Sequence, residues 1–74
     1  MSIECLDLHG VRHHQVKNKV ENFVFLKQEL IPLIIICGNS SKMIESVTSV
    51  LEKHGISYNS GKGFDYGKIT VERI

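Results

Sequence analysis

Leu33-Ile34-Ile35-Ile36-Cys37-Gly38-Asn39-Ser40-Ser41 is the stretch on which the reading of the fold turns. Five apolar residues, three of them β-branched, form a run too short for a helix and typical of a strand that is covered by helices or central in a sheet. Gly38 ends it, and Asn39, Ser40 and Ser41 are candidate caps for a helix whose apolar set is Met43, Ile44, Val47, Val50 and Leu51. That helix runs to about His54, where Gly55 occupies the place of a left-handed C-terminal cap and frees Ile56-Ser57-Tyr58 to begin a third strand. Upstream, Pro32 lacks the N–H that a helix interior requires and closes a helix over about His13 to Glu29, in which Val16, Val20, Phe23, Val24 and Leu30 recur at helical spacing. Before it, Ile3 to Leu8 reads as a short buried strand ending at the His9-Gly10 turn. After Tyr58, Ser60 to Gly67 is a turn-rich connection, and Lys68 to Ile74 alternates roughly as a half-exposed final strand.

The order is therefore βαβαββ, an α/β chain of the two-layer α+β kind. Strands one and two are expected to be parallel neighbours, with the helices at Val16–Leu30 and Met43–Leu51 on one face of the sheet. Their carboxyl ends, at His9 and at Cys37-Gly38, then open on the same edge, where sheets of this type place their ligands.

With 74 residues there is room for one domain, residues 1–74, and a chain this short buries only about 60% of the surface it exposes when unfolded. A core that small makes self-association, or a protein partner, a reasonable expectation. Hydrophobic residues at 42% and charged residues at 23% describe an ordinary folded chain, and a formal net charge of +1 supplies no global attraction to nucleic acid. Cys5 and Cys37 lie far apart in apolar stretches without metal-type pairing, so both are expected to be buried, reduced thiols. The opening Met-Ser-Ile-Glu-Cys has no secretory character, and the longest apolar run is far short of the ~20 residues of a membrane span. The expectation is a cytoplasmic protein with no membrane partner.

Strand alternation puts Asp7 and His9 on one side of the first strand at its carboxyl end. An imidazole there can transfer a proton near neutral pH, with the carboxylate orienting it or raising its basicity. The alternative is structural: Asp7 caps the following turn and His9 is a satisfied side chain. Gly38-Asn39-Ser40-Ser41-Lys42 is a glycine-opened loop at a helix N-terminus, where unpaired N–H groups and the dipole suit a phosphate and Lys42 adds a cation. The competing reading is an ordinary capped helix. His9, His13 and His14 show no zinc-type spacing, so no metal ligands are assigned; the cofactor is left unknown, with a divalent ion such as Mg or Mn open. Arg12, Lys17, Lys19, Lys42, Lys62 and Lys68 are scattered, several of them flanking the expected carboxyl edge.

Leu6-Asp7-Leu8-His9-Gly10, followed by a helix, an Ile-rich strand ending in a Gly loop, a second helix and Gly67-Lys68-Ile69-Thr70-Val71, resembles the small MutS-related (Smr) domain along nearly the whole chain. The resemblance implies a four-stranded mixed sheet with two helices, like the C-terminal domain of the third bacterial translation initiation factor. It implies binding of DNA or RNA, and in several members cleavage of it. By position, Asp7 and His9 match the family's Leu-Asp-x-His pair as catalytic residues. Gly10, Arg12, Gly38, Asn39, Ser40, Ser41 and Lys42 make up the expected phosphate or nucleic-acid site, with Gly38 matching the first glycine of the second motif. Cys37 stands where His or Thr is usual, and Ser40 where a second glycine is usual, departures that bear on catalysis more than on binding. The reading is an Smr-like nucleic-acid-binding domain with endonuclease activity; the alternatives are a non-catalytic nucleic-acid-binding module and a protein adaptor.

Overall fold

The computed structural model describes residues 3–74. Along the chain it has strand β1 (Cys5–Asp7), helix α1 (His13–Leu26), strand β2 (Leu33–Ile36), helix α2 (Ser41–Lys53), strand β3 (Ser57–Ser60) and strand β4 (Lys68–Arg73), with single 3-10 turns at Gln28–Leu30 and Gly63–Asp65. The sheet order is β1-β2-β4-β3. β1 and β2 are parallel, with Leu6 beside Ile35 and Asp7 beside Ile36. β4 runs antiparallel to both β2 and β3, so β3 points the same way as β1 and β2 and the α2 crossover spans β4. The expected βαβαββ architecture and the β1–β2 pairing are thus present.

One core lies between the helices and one sheet face. From the strands it takes Leu33, Ile35, Ile69 and Val71, and from the helices Val16, Val20, Val24, Met43, Val47 and Leu51; Leu8, Cys37 and Ile56, just beyond strand ends, complete it. Among the described residues, no polar or charged residue is buried. The Val16–Val20–Val24 spacing is a 3.6-period stripe, and Met43–Val47–Leu51 repeats it on α2. Among the described residues the opposite sheet face has no helix over it, so Ile34 and Ile36, inside the apolar run, are only half-buried there.

α2 is bounded as its sequence foretells. The Ser40 hydroxyl accepts the Met43 N–H at 3.1 Å. At the other end Gly55 has φ +67, and the N–H groups of Ile56 and Gly55 donate to the carbonyls of Leu51 and Glu52. Those two bonds form a Schellman motif, with the apolar pair Leu51 and Ile56 buried together beside it.

α1 departs from expectation by ending at Leu26, not near Glu29. Lys27 leaves helical geometry (φ −112, ψ 15) and Gln28–Leu30 continues as a 3-10 turn. Pro32 forces extended backbone on Ile31, so the chain begins to unwind several residues ahead of the proline. Leu30 leaves the apolar stripe and is 53% exposed. β1 is likewise shorter than Ile3–Leu8: Ile3 is exposed, although Ile34 N–H to Glu4 O and Leu8 N–H to Ile36 O extend the pairing one residue each way. Cys37 is buried, and burial pushes its thiol up to about 11. Cys5, expected to be buried, is exposed, because it sits on an edge strand with its side chain on the uncovered face, level with Ile34.

No helix is long and apolar enough to cross a membrane among the described residues.

Candidate nucleic-acid interface

Because β1, β2 and β3 run the same way, their carboxyl ends share one edge of the sheet, and three connections gather there. Leu8 N–H to Ile36 O (2.9 Å) sets the end of β1, and with it the His9-Gly10 turn, beside the end of β2. Cys37 N–H to Gly67 O (2.6 Å) holds the Gly38 loop against the start of β4. Gly61 N–H to Lys68 O (2.9 Å) closes the loop from Gly61 to Gly67 at the same edge. Both helices also begin here.

The Gly38–Lys42 segment carries free donors. Among the described residues, the main-chain N–H groups of Gly38, Asn39, Ser41 and Lys42 donate to no main-chain or side-chain acceptor, whereas the Ser40 N–H closes the Gly38–Asn39 turn toward the Cys37 carbonyl. Helix geometry accounts for the first-turn members, which have no carbonyl four residues back to bond. Ser40 is the expected site residue whose side chain is already engaged, since its hydroxyl caps α2. α1 begins at His13, its N-cap Arg12 making no side-chain cap bond, and neither helix has an acidic residue in its first turn, so both positive dipole ends face the edge without a capping carboxylate. Arg12, Lys42 and Lys62 form no ion pair among the described residues, whereas Lys68 lies 3.7 Å from Asp65.

Asp7 and His9 are both exposed at this edge. The Asp7 carboxylate is turned onto the backbone: Oδ1 accepts the His9 N–H at 2.9 Å. No hydrogen bond joins the carboxylate to the imidazole. This is an Asx turn, the structural alternative foreseen for Asp7, and it leaves Oδ2 free. On the uncovered face, Asp7, Ile36 and Lys68 form one row across three strands.

A divalent ion fits this donor set poorly. Among the described residues no three His, Cys, Asp or Glu side chains come together, and Asp7 has one oxygen already committed. His13 and His14 open α1 as exposed residues. A shallow groove on α1, lined by His14, Gln15, Asn18 and Lys19, belongs to the outer side of that helix and contains neither Asp7 nor the Gly38 loop.

Sequence reasoning placed Asp7, His9, Gly10, Arg12 and the Gly38–Lys42 segment at one edge, and they are found on two neighbouring connections. It missed the third connection. The spacing of Gly61, Gly63 and Gly67 signalled a tight turn, but only the tertiary pairing sets that turn against Gly38.

The chain matches no family model, no curated protein and no solved structure to a significant degree.

Proposed function

We propose that this protein is an Smr-like domain that binds the phosphate backbone of nucleic acid at the carboxyl edge of its sheet. One observation carries the reading: among the described residues the N–H groups of Gly38, Asn39, Ser41 and Lys42 are unpartnered at a helix N-terminus, and Arg12, Lys42 and Lys62 on the same edge form no ion pair. Backbone N–H groups and a positive dipole end suit an anion of any sequence context, so the interface suits DNA or RNA and reads no bases through this loop. The Leu6–Gly10 motif supports the same family reading independently of charge.

The test is binding of labelled single-stranded and duplex DNA and RNA over a salt series. Wild type should bind, with log K falling linearly against log salt. Lys42→Glu should weaken binding and reduce that slope by about 0.7–0.9, because one phosphate is no longer neutralised. Unchanged binding and slope would place the binding surface elsewhere.

A second reading, phosphodiester cleavage, is favoured by Asp7 and His9 standing exposed beside the loop. Charge building on the phosphoryl oxygens would meet the Gly38–Lys42 donors, and His9 would move the proton of the attacking group. Asp7 serves to hold the His9 turn rather than to orient the ring.

A further inference from the structure

Phe64 is the most exposed apolar side chain of the described residues, with an accessibility of 110% relative to a free reference residue. It stands at the centre of the 3-10 turn Gly63–Asp65, and Tyr66 beside it is 48% exposed. Such a residue contributes nothing to the core, yet the backbone presenting it is closely held. Asp65 N–H bonds Lys62 O and Tyr66 N–H bonds Gly63 O. A Cβ at Gly61 would overlap the Asp65 backbone, and one at Gly67 would overlap the Gly38 carbonyl. The turn is thus packed on itself and onto the loop whose N–H groups are free. A lysine flanks it on each side: Lys62 has no acidic partner among the described residues, while Lys68, the first residue of β4, lies 3.7 Å from Asp65 of the turn.

We propose that Phe64 is a stacking platform for an unpaired base of a single-stranded nucleic acid whose backbone passes over the Gly38–Lys42 donors. The inference rests on the binding reading above and adds to it a preference for unpaired strands. Aromatic faces take any base, while lysines beside them meet the phosphates, a combination by which single strands are bound without sequence readout. A protein ligand would be served less well, because the apolar area is confined to Phe64 and the half-exposed Tyr66, with Lys62, Asp65 and Lys68 around them, rather than a broad continuous patch.

The test uses the full chain and fluorescence anisotropy with single-stranded DNA and RNA 12-mers, an abasic 12-mer carrying the same charge, and a duplex. Phe64→Ala should leave thermal stability unchanged and lower affinity for both single strands by about 5- to 150-fold, the range for removal of one base–aromatic stack. The salt slope should stay that of wild type, since every phosphate keeps its cation. Wild type should bind the abasic strand about as weakly as Phe64→Ala binds the normal one. Phe64→Trp adds the only tryptophan in the chain; its emission should be quenched by the single strands and not by the abasic strand. If wild type binds nucleic acid while Phe64→Ala binds single strands equally well, or the tryptophan ignores the bases, the stacking role is overturned and the phosphate site stands. If wild type binds no nucleic acid at low salt, both fall together.

Discussion

Gly67 lies directly against Gly38: its carbonyl accepts the Cys37 N–H at 2.6 Å, and a side chain at position 67 would occupy the place of the Gly38 carbonyl. Gly67 also has φ +89, in the region L side chains avoid. Gly67→Ala should therefore cost at least about 1–2 kcal/mol for the backbone conformation alone, with the overlap adding to it. Gly55→Ala is the comparison, because φ is +67 there but the space is open. Urea unfolding should rank Gly67→Ala well below Gly55→Ala, and Gly67→Ala alone should weaken nucleic-acid binding by moving the Gly38 loop. Equal stability of the two variants would mean that the backbone yields freely at position 67.

Asp7 separates into two roles by substitution. Asp7→Asn keeps an Oδ1 that can accept the His9 N–H, so the turn and the fold should survive. Asp7→Ala removes the acceptor and should cost about 0.5–1.5 kcal/mol at this exposed position. If the protein cleaves nucleic acid, His9→Ala should slow turnover by about 10²–10⁴-fold with binding nearly intact. Asp7→Asn should slow it far less than Asp7→Ala, since the carboxylate serves the turn. Single-turnover cleavage assays check this, and cleavage by His9→Ala at the wild-type rate would return the pair to a purely structural role.

Neighbouring residues of β2 should differ sharply. Ile35 is fully buried under the helices and Ile34 is half-buried on the uncovered face. Ile35→Ala should cost about 2–5 kcal/mol through the cavity it leaves. Ile34→Ala should cost less than half as much, because most of the vacated space is open to water. Similar values for the two in denaturant titrations would show the open face to be covered in solution.

Two exposed hydrogen bonds tie stability to pH at opposite ends of the scale. The His54 ring bonds Glu21 at 2.6 Å, joining the end of α2 to α1, with Phe25 edge-on to the ring at 5.2 Å. That bond, aided by Lys17 and Lys53, holds Glu21 below its ordinary 4.5, so its stabilisation is present above pH 4.5 and fades as pH falls through the lowered value. Tyr58 donates to Glu52 at 2.5 Å, which raises the phenol above its ordinary 10.0. Its stabilisation is present below pH 10 and fades as pH rises through the raised value. Thermal melts across pH should show a shallower acid limb for Glu21→Gln and a shallower alkaline limb for Tyr58→Phe. A variant whose limb matches wild type would show that bond to be absent in solution.

Local chemistry decided a good deal of this fold. The 3.6-period stripes at Val16–Val20–Val24 and Met43–Val47–Leu51, the Ser40 cap, the Gly55 stop and the β-branched run from Leu33 each act within a few residues, so their consequences can be read along the chain. The β1–β2 pairing followed from the same elements, because a short strand–helix–strand unit packs back on itself. What lay beyond the sequence were relations between segments distant along it. Cys5 and Cys37 sit in similar apolar company, yet one is exposed and the other buried, because only one sheet face carries helices. The insertion of β4 between β2 and β3 depended on which edge that final strand joined. From that insertion comes the packing of Gly67 on Gly38, which brings Phe64 and its turn to the same edge as the free N–H groups. Asp7 shows the same division within one residue: the spacing placed it beside His9, but the folded turn decided that its carboxylate meets the His9 backbone and not the ring.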